Sequence, residues 1–544
     1  MDAEAPVLIV GGSLCGLSTA LFLAHRGVPC IVVERHAGTS IQYKFRGISP
    51  RSMEIYRSVG IEAEIRARDL IDDRSAYVAR MTHLAAPEIS WQGIPWSDTR
   101  DIGPTTAATC DQDQLEPILL AAAERRGAVA RFNTELLDFR QDGAGVDARL
   151  RDRATGAEHT IRARFLVAAD GTQSHVRQSL GIARHGPGVL QHWMNVIFEA
   201  DLPTALEGRL LRSIFVTDIN GTFVPRGDGR WLMAVQYVPE RGERPEDFTD
   251  DRCRDLIRRG AGRTDLDVRI VDARPWEAAA SVADRFSAGR IFLVGDSAHV
   301  MPPTGGFGGN TGIQDAYNLA WKLEAVTKDL AAATLLPSYD AERRPVADAT
   351  MEQALARLQA WFKDPSRKLP PPAPIVDDTA VIFGYRYPDG AFVAERDDTP
   401  ATLFDDPRAP SGRPGSRAPH LIVRHAGQEV STVDLCAGKW VLLYGSSGQV
   451  WQQVVRRTAA AAALGVECYG MAPAGDLQDV HDGWAAAYRL DTDGAVLIRP
   501  DGFVAWRRRT ATGDAHADLR AAFSCLAATR ESVEAVRRTS APVR

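Results

Sequence analysis

Residues 289–323, GRIFLVGDSAHVMPPTGGFGGNTGIQDAYNLAWKL, decide how this chain folds. Ile291 to Val294 is a short apolar run, suited to a strand covered on both faces. Gly295-Asp296 ends it and sets a carboxylate at the strand's C-terminal end, where open α/β sheets bind ligands. Pro302, Pro303 and the glycines at 305, 306, 308 and 309 then make a loop whose backbone can approach a ligand closely. Asn310 is read as the N-cap of the following helix, which aims its positive end and free N–H groups into the loop. A flat, electron-accepting ring that becomes anionic on reduction suits such a cradle.

The N-terminus carries a second unit of this kind. Val7 to Val10 runs into Gly11-Gly12-Ser13-Leu14-Cys15-Gly16 and a helix pattern, and a second strand, Cys30 to Val33, ends in Glu34. This is the order of a βαβ dinucleotide unit, with pyrophosphate on the helix N-terminus and the acid on ribose hydroxyls. Ser13 stands where the fingerprint has its middle glycine. Glu34 disfavours a 2′-phosphate here, because two negative groups would meet. A third apolar strand, Phe165 to Ala169, leads into Asp170-Gly171 and the start of a helix.

The rest of the composition narrows the class. With 544 residues the chain is expected to hold two to four domains. A net charge of −6 gives no footprint for nucleic acid. No apolar run approaches the ~20 residues of a membrane helix, and the N-terminus does not read as a signal peptide. Seven cysteines without a CxxC or a metal-like spacing point to a reduced, cytoplasmic chain.

Arg212 to Ile219, Asn220-Gly221 and Thr222 to Pro225 read as a hairpin with a tight Asn-Gly turn. In the next strand Trp231, Met233, Val235 and Tyr237 alternate with Leu232, Ala234, Gln236 and Val238. Both faces are largely apolar; one packs on a core and the other roofs a large aromatic substrate. Tyr77 to Trp96 adds strands or a lid to this region. The C-terminal third reads as separate, behind the proline-rich stretches 365–374 and 407–419. It shows a strand at Trp440–Tyr444, a helix at Val450–Leu464, a strand at Val466–Met471, a hairpin around Pro500-Asp501-Gly502 and a helix from Ala515.

Taken in order and spacing, GGSLCG with Glu34, DGTQSHVR and GDSAHVMPPTGGFGGNTGIQDA resemble the flavin-dependent aromatic hydroxylases typified by para-hydroxybenzoate hydroxylase. The likeness runs from the N-terminus to the FGYRY segment at 383–387. The stretch from Arg46 through Arg51-Ser52-Met53-Glu54 and the C-terminal part are most similar to actinomycete aromatic-polyketide hydroxylases. The resemblance implies an α/β fold: a Rossmann-like FAD-binding domain with an inserted β-sheet substrate domain and a C-terminal thioredoxin-like domain lacking CxxC. The expected boundaries are 1–180, 181–280, 281–400 and 415–544, with 75–105 joining either the first domain or the sheet.

The implied chemistry is FAD-dependent hydroxylation of a polycyclic phenol through a flavin C4a-hydroperoxide, with NADPH or NADH and O2. Baeyer-Villiger-type insertion, non-oxygenating oxidoreduction and a non-catalytic FAD-binding protein are the alternatives. The resemblance implies that Gly11, Ser13, Leu14, Gly16, Glu34 and Arg35 hold the ADP half of FAD. Arg46 resembles the arginine near the pyrophosphate, a role Lys44 shares or replaces, and Gln112 matches a glutamine that contacts FAD. Asp170 lies near both FAD and the nicotinamide route, and Asp296 binds ribityl or ribose hydroxyls, being read as buried. Gly306, Gly308, Gly309 and Asn310 line the ring, with Pro302 at the reacting edge. Trp231, Met233, Phe223 and Pro303 are the substrate contacts. Arg386 either stabilises a substrate phenolate or pairs with a surface carboxylate, and His299 is structural. The expected state is monomer or homodimer, without nucleic acid, membrane or metal.

Overall fold

The computed structural model describes residues 3–42, 45–69, 76–92, 98–226, 229–361, 369, 371–395, 402–473, 475–511 and 513–527. Its first sheet has eight strands with Ala3–Val10 near the centre. That strand runs parallel to Glu158–Ala168 on one side and Cys30–Val33 on the other, and Ile291–Leu293 lies parallel beyond Glu158–Ala168. Cys30–Val33 and Ile291–Leu293 are buried along their whole length, as strands covered on both faces must be. The turns at Gly11, Asp170 and Asp296 therefore leave the C-terminal ends of three adjacent parallel strands at one edge.

The second sheet has nine strands. Arg184–Glu199 pairs with Arg230–Tyr237 on one side and Arg269–Ala283 on the other. Gly221–Pro225, Arg209–Val216, Ala76–Met81 and Ser90–Gln92 continue it outward. His299–Val300 joins its other edge beside Arg269–Ala283, so the chain passes directly from the first sheet into the second. The hairpin forms with a longer loop than expected. Arg209–Val216 stops at Val216, a single 3-10 turn covers Thr217–Ile219, and Asn220 in the left-handed region (φ 47°) starts the return strand at Gly221.

The helix Asp250–Ala261 covers one face of this sheet. Phe198, Phe223, Trp231, Met233 and Ile257 form one buried cluster there, and a Cβ on Gly260 would lie 2.8 Å from the Phe223 ring.

A seven-stranded mixed sheet makes the C-terminal unit, with Glu467–Met471 parallel and Ala495–Ile498 antiparallel to Val441–Gly445. The expected helix breaks at Thr458 into Gln449–Arg457 and Ala459–Ala463. This unit has a core cluster of its own, around Val423, Leu443, Tyr488 and Val496, and also packs closely on the first unit. Trp440 meets Trp321 of the long helix Phe307–Thr327 edge-on at 5.7 Å, and one core cluster contains residues of both. Arg499 and Asp501 enter a fully buried network with Lys322 and Glu342. The 407–419 stretch wraps along the same turn, Gly415 donating to Val504 O and Ala418 to Gly502 O, both at 2.9 Å. Among the described residues no helix is long and apolar enough to cross a membrane.

Candidate active site

The ADP end is built from backbone that tolerates no side chain. Gly11 has φ +107°, and a Cβ there would lie 2.2 Å from Ala169 O; one on Gly16 would lie 1.9 Å from Gly11 O. The helix Leu14–His25 begins here with Ser13 at its N-cap. Ser13 does not cap through its side chain; its hydroxyl donates to Glu116 Oε1 at 2.5 Å. Gln112 Nε2 donates to Ser13 Oγ (3.0 Å) and Glu116 Oε1 (2.6 Å), and the Ser40 amide reaches Glu116 Oε2 (2.7 Å). Glu116 is wholly buried, so these three donors satisfy its charge. Gln112 Oε1 is buried without a hydrogen-bond partner, an acceptor suited to a cofactor hydroxyl. Glu34 Oε2 accepts from the Gly12 amide (2.7 Å) and Oε1 from the His36 amide (2.8 Å), which holds the carboxylate across the turn. Arg35 is exposed, and its carbonyl accepts from Arg153.

Asp170 is drawn inward: its carboxylate accepts from Ser174 Oγ (2.5 Å) and the Val176 amide (3.1 Å). Asp296 is exposed, which corrects the expectation of burial. Its carboxylate has one long contact, from Thr172 Oγ1 at 3.5 Å, so it faces outward with acceptor capacity to offer. Arg184 donates to the carbonyls of Asp296 (2.5 Å) and Ser297 (3.3 Å). Burial, with Arg177 nearby, pulls the Arg184 guanidinium down to about 10. The turn is pinned from below by Asp315, which accepts from the Gly295 amide (3.3 Å), lies 2.7 Å from His299 Nε2 and pairs with Arg343 at 2.8 Å. Burial works against that charge, but His299 and Arg343 outweigh it and hold the Asp315 carboxyl below its usual range. His299 is thus structural.

The loop differs from expectation at the helix start. Gly306 in the left-handed region (φ +66°) is the N-cap of Phe307–Thr327, and Asn310 lies inside the first turns. An asparagine amide has better partners there. Asn310 Oδ1 accepts from the Ser49 amide (2.9 Å), and Nδ2 donates to Gly47 O (3.0 Å) and Gly306 O (2.8 Å). The amides of Phe307, Gly308 and Gly309 have no intrahelical acceptor. A small recess opens at this helix start, lined by Ser49, Gly305, Gly306 and Thr311 among others. Pro302 is buried and Pro303 exposed. Phe45 and Leu14 crowd Gly309, so the loop touches the ADP end directly.

The sheet register corrects three of the expected substrate contacts, Trp231, Met233 and Phe223. Phe223 pairs with Met233, Met233 with Val196 and Trp231 with Phe198, and all five face the Asp250–Ala261 helix in the core. Directly paired residues share a face and successive residues alternate. The opposite face therefore carries Trp193, Asn195, Ile197, Leu232, Ala234, Gln236, Thr222 and Trp276. Ile197, Val224 and Leu232 form their own small cluster on that side. Gln42, from the loop after Glu34, bonds Asp272 on this face, so it is the side turned to the first domain.

Arg46 is also turned to the sheet. Its guanidinium donates to Arg212 O (3.1 Å) and Pro225 O (2.9 Å) and lies 3.2 Å from Asp111. Arg226 joins Asp113 in the same buried joint. Lys44 lies outside the described residues. Arg386 is buried, 2% exposed. Its amide donates to Leu403 O, and its neighbours Tyr385 and Tyr387 pack on Phe503 of the C-terminal unit. The residues missed were Glu116, Asp315, Arg343, Asp111, Arg226, Trp193 and Trp276. Glu116 alone had a local signal, standing four residues after Gln112 on one helical face.

A family model for the FAD-binding domain matches residues 4–354, and one for the aromatic-ring hydroxylase C-terminal domain matches 411–528. The chain belongs to the FAD-dependent aromatic-ring hydroxylases. Among similar hydroxylases, tetracenomycin A2 monooxygenase-dioxygenase of Streptomyces glaucescens is 40% identical, over 95% of this chain and 96% of that one. Aklavinone 12-hydroxylase of Streptomyces purpurascens is 41% identical, over 94% and 97%. A 4-methyl-5-nitrocatechol 5-monooxygenase of Burkholderia is 40% identical, over 95% and 96%. The crystal structure of aklavinone-11 hydroxylase with FAD and aklavinone superposes with a TM-score of 0.90 at 38% identity, covering 97% of this chain and all of that one. The hydroxylase is a flavin-dependent monooxygenase of this fold.

Proposed function

We propose that this hydroxylase inserts one oxygen of O2 into a phenolic ring of an aromatic polyketide, using NADPH or NADH as donor. The residues fit FAD: the Gly11–Gly16 turn admits a pyrophosphate, Glu34 and Asp296 offer carboxylates to hydroxyls, and Gln112 Oε1 is an acceptor in need of a donor. Bound flavin would store the donor's electrons and activate oxygen.

The protein's own part is placement, charge and dryness. Amides at Phe307, Gly308 and Gly309 point the helix dipole at negative charge on the ring. Asn310 ties this turn to Gly47 and Ser49, so the donors are held before charge develops. Ile197, Val224 and Leu232 keep water from the facing side. Pro303, exposed at the loop, and Trp276, half-buried on the sheet, are the substrate contacts this reading favours. No step is assigned to Arg386.

The observation that carries the proposal is the outward-facing Asp296 carboxylate, in the turn that packs on the start of a helix with no side-chain cap. The test is to purify the protein, record its flavin spectrum, and follow NADPH and NADH consumption with hydroxylated anthraquinones. Substrate-stimulated consumption with a product one oxygen heavier supports it. Consumption without oxygen incorporation would overturn it in favour of oxidoreduction.

A further inference from the structure

We propose that Trp276, backed by Trp193, is the surface that selects the substrate, and that it commits the site to fused-ring phenols over single-ring ones. The inference rests on the hydroxylase reading above. Trp193 and Trp276 are direct cross-strand partners on the face turned away from the Asp250–Ala261 helix. Their rings stack, with centroids 5.9 Å apart and planes 15° from parallel. Both indole N–H groups are used within the sheet: Trp193 Nε1 donates to Gln191 Oε1 (3.2 Å) and Trp276 Nε1 to Asn195 Oδ1 (2.7 Å). Each ring is therefore held at its polar edge and stacked on its partner, so the pair is stiff. Trp193 is 7% exposed, while Trp276 is half-buried.

The position follows from strand direction. Val300 pairs with Ser281 in antiparallel sense. The chain leaving Val300 for Pro302 and Pro303 thus runs alongside Arg269–Ala283 toward lower residue numbers, which is toward Trp276. On the neighbouring strand Asn195 faces Ala234, whose small side chain leaves height above the sheet, and Trp193 faces Gln236. A ligand held over the flavin loop meets a bicyclic indole face there. A fused-ring phenol covers that face, whereas a single ring covers only part of it, and stacking scales with overlap.

Equilibrium dialysis of the FAD-loaded protein against 1,8-dihydroxyanthraquinone and 4-hydroxybenzoate tests this. The wild type is expected to bind the anthraquinone about tenfold or more tightly than the benzoate. Trp276→Ala should weaken anthraquinone binding about tenfold and benzoate binding by a smaller factor, with FAD content unchanged, and Trp276→Phe should fall between. Asn195→Leu, which frees the indole edge, should reduce the same preference and decides the matter if Trp276→Ala does not fold. Equal binding of the two ligands by the wild type, or Trp276→Phe and Asn195→Leu that keep the full preference, would overturn the proposal. A wild type that shows the preference yet consumes no extra NADPH or O2 supports this wall and removes the hydroxylase reading instead.

Discussion

Arg499, in the C-terminal sheet, grips Glu342 of the helix Ser338–Trp361 with both terminal nitrogens, at 2.7 and 3.0 Å, and neither side chain is exposed to solvent. Lys322 reaches the same carboxylate at 2.7 Å and Asp501 closes the far side of the guanidinium. Three segments distant in sequence are thus joined by charge that no water can replace. Arg499→Ala leaves Glu342 short of a partner in the core, and breaking such a pair costs about 3–5 kcal/mol. Chemical denaturation should show that loss as a single transition, because the C-terminal unit and the FAD-binding unit share a core.

Acid should attack this same joint. Burial raises the Glu342 carboxyl, but Arg499 and Lys322 outweigh it and hold the group down to about 2. Its folded value is below its unfolded one, so the stabilisation is full above the ordinary glutamate range and is lost as pH falls from there toward about 2. Thermal midpoints measured across that window should drop in the wild type. In Glu342→Gln they should start lower and change less with pH.

The two faces of the strand Arg230–Tyr237 should separate stability from binding. Met233 is fully buried against the Asp250–Ala261 side, and Met233→Ala is expected to cost about 2–5 kcal/mol of stability with little change in substrate KM. Gln236→Ala, on the other face, should leave the unfolding midpoint within about 0.5 kcal/mol and raise KM. A reversed pattern would return the substrate to the face first expected.

Gly16 and Gly309 are close-contact glycines of different kinds. A Cβ on Gly16 meets a backbone carbonyl at 1.9 Å, which cannot move aside, so Gly16→Ala should yield little folded flavoprotein. One on Gly309 meets the Phe45 ring at 2.5 Å and the end of Leu14 at 3.1 Å, and side chains can shift. Gly309→Ala should fold, with weaker FAD binding and a changed flavin midpoint potential, read by apoprotein titration and spectroelectrochemistry.

Asp296→Ala should behave as a binding mutant. The side chain is exposed with one 3.5 Å contact, so stability is expected to change by no more than about 0.5 kcal/mol. FAD affinity should fall by about 1.5–3 kcal/mol, the worth of hydrogen bonds to a charged acceptor. Titration of apoprotein with FAD measures it, and unchanged affinity would exclude a ribityl contact.

Much of the cofactor site was legible because its information is local. Gly11, Gly16 and Glu34 follow one strand–turn–helix–strand unit, and Asp296 with the Gly305–Gly309 loop follows another, so spacing alone places each group at a strand end. Asn310 misled because a residue that suits an N-cap also suits a buried amide bridge, and only the approach of Gly47 and Ser49 chooses between them. The partners of Arg46 were not legible for a related reason: a long cation reaches whichever carbonyls come near, and two of them belong to the sheet.

By itself the sequence determined the three strand–turn units, the cofactor class they suit and the presence of a sheet apolar on two sides. Backbone geometry and glycine spacing act over a few residues, so these features do not depend on distant partners. The tertiary structure alone decided which face of that sheet is core, where Trp193 and Trp276 come together, and that the C-terminal unit is welded to the FAD-binding unit through Arg499 and Glu342. Alternation tells which residues share a face, but the helix Asp250–Ala261 settles which face it covers, and a buried charge is stable only where its partner arrives from another part of the chain.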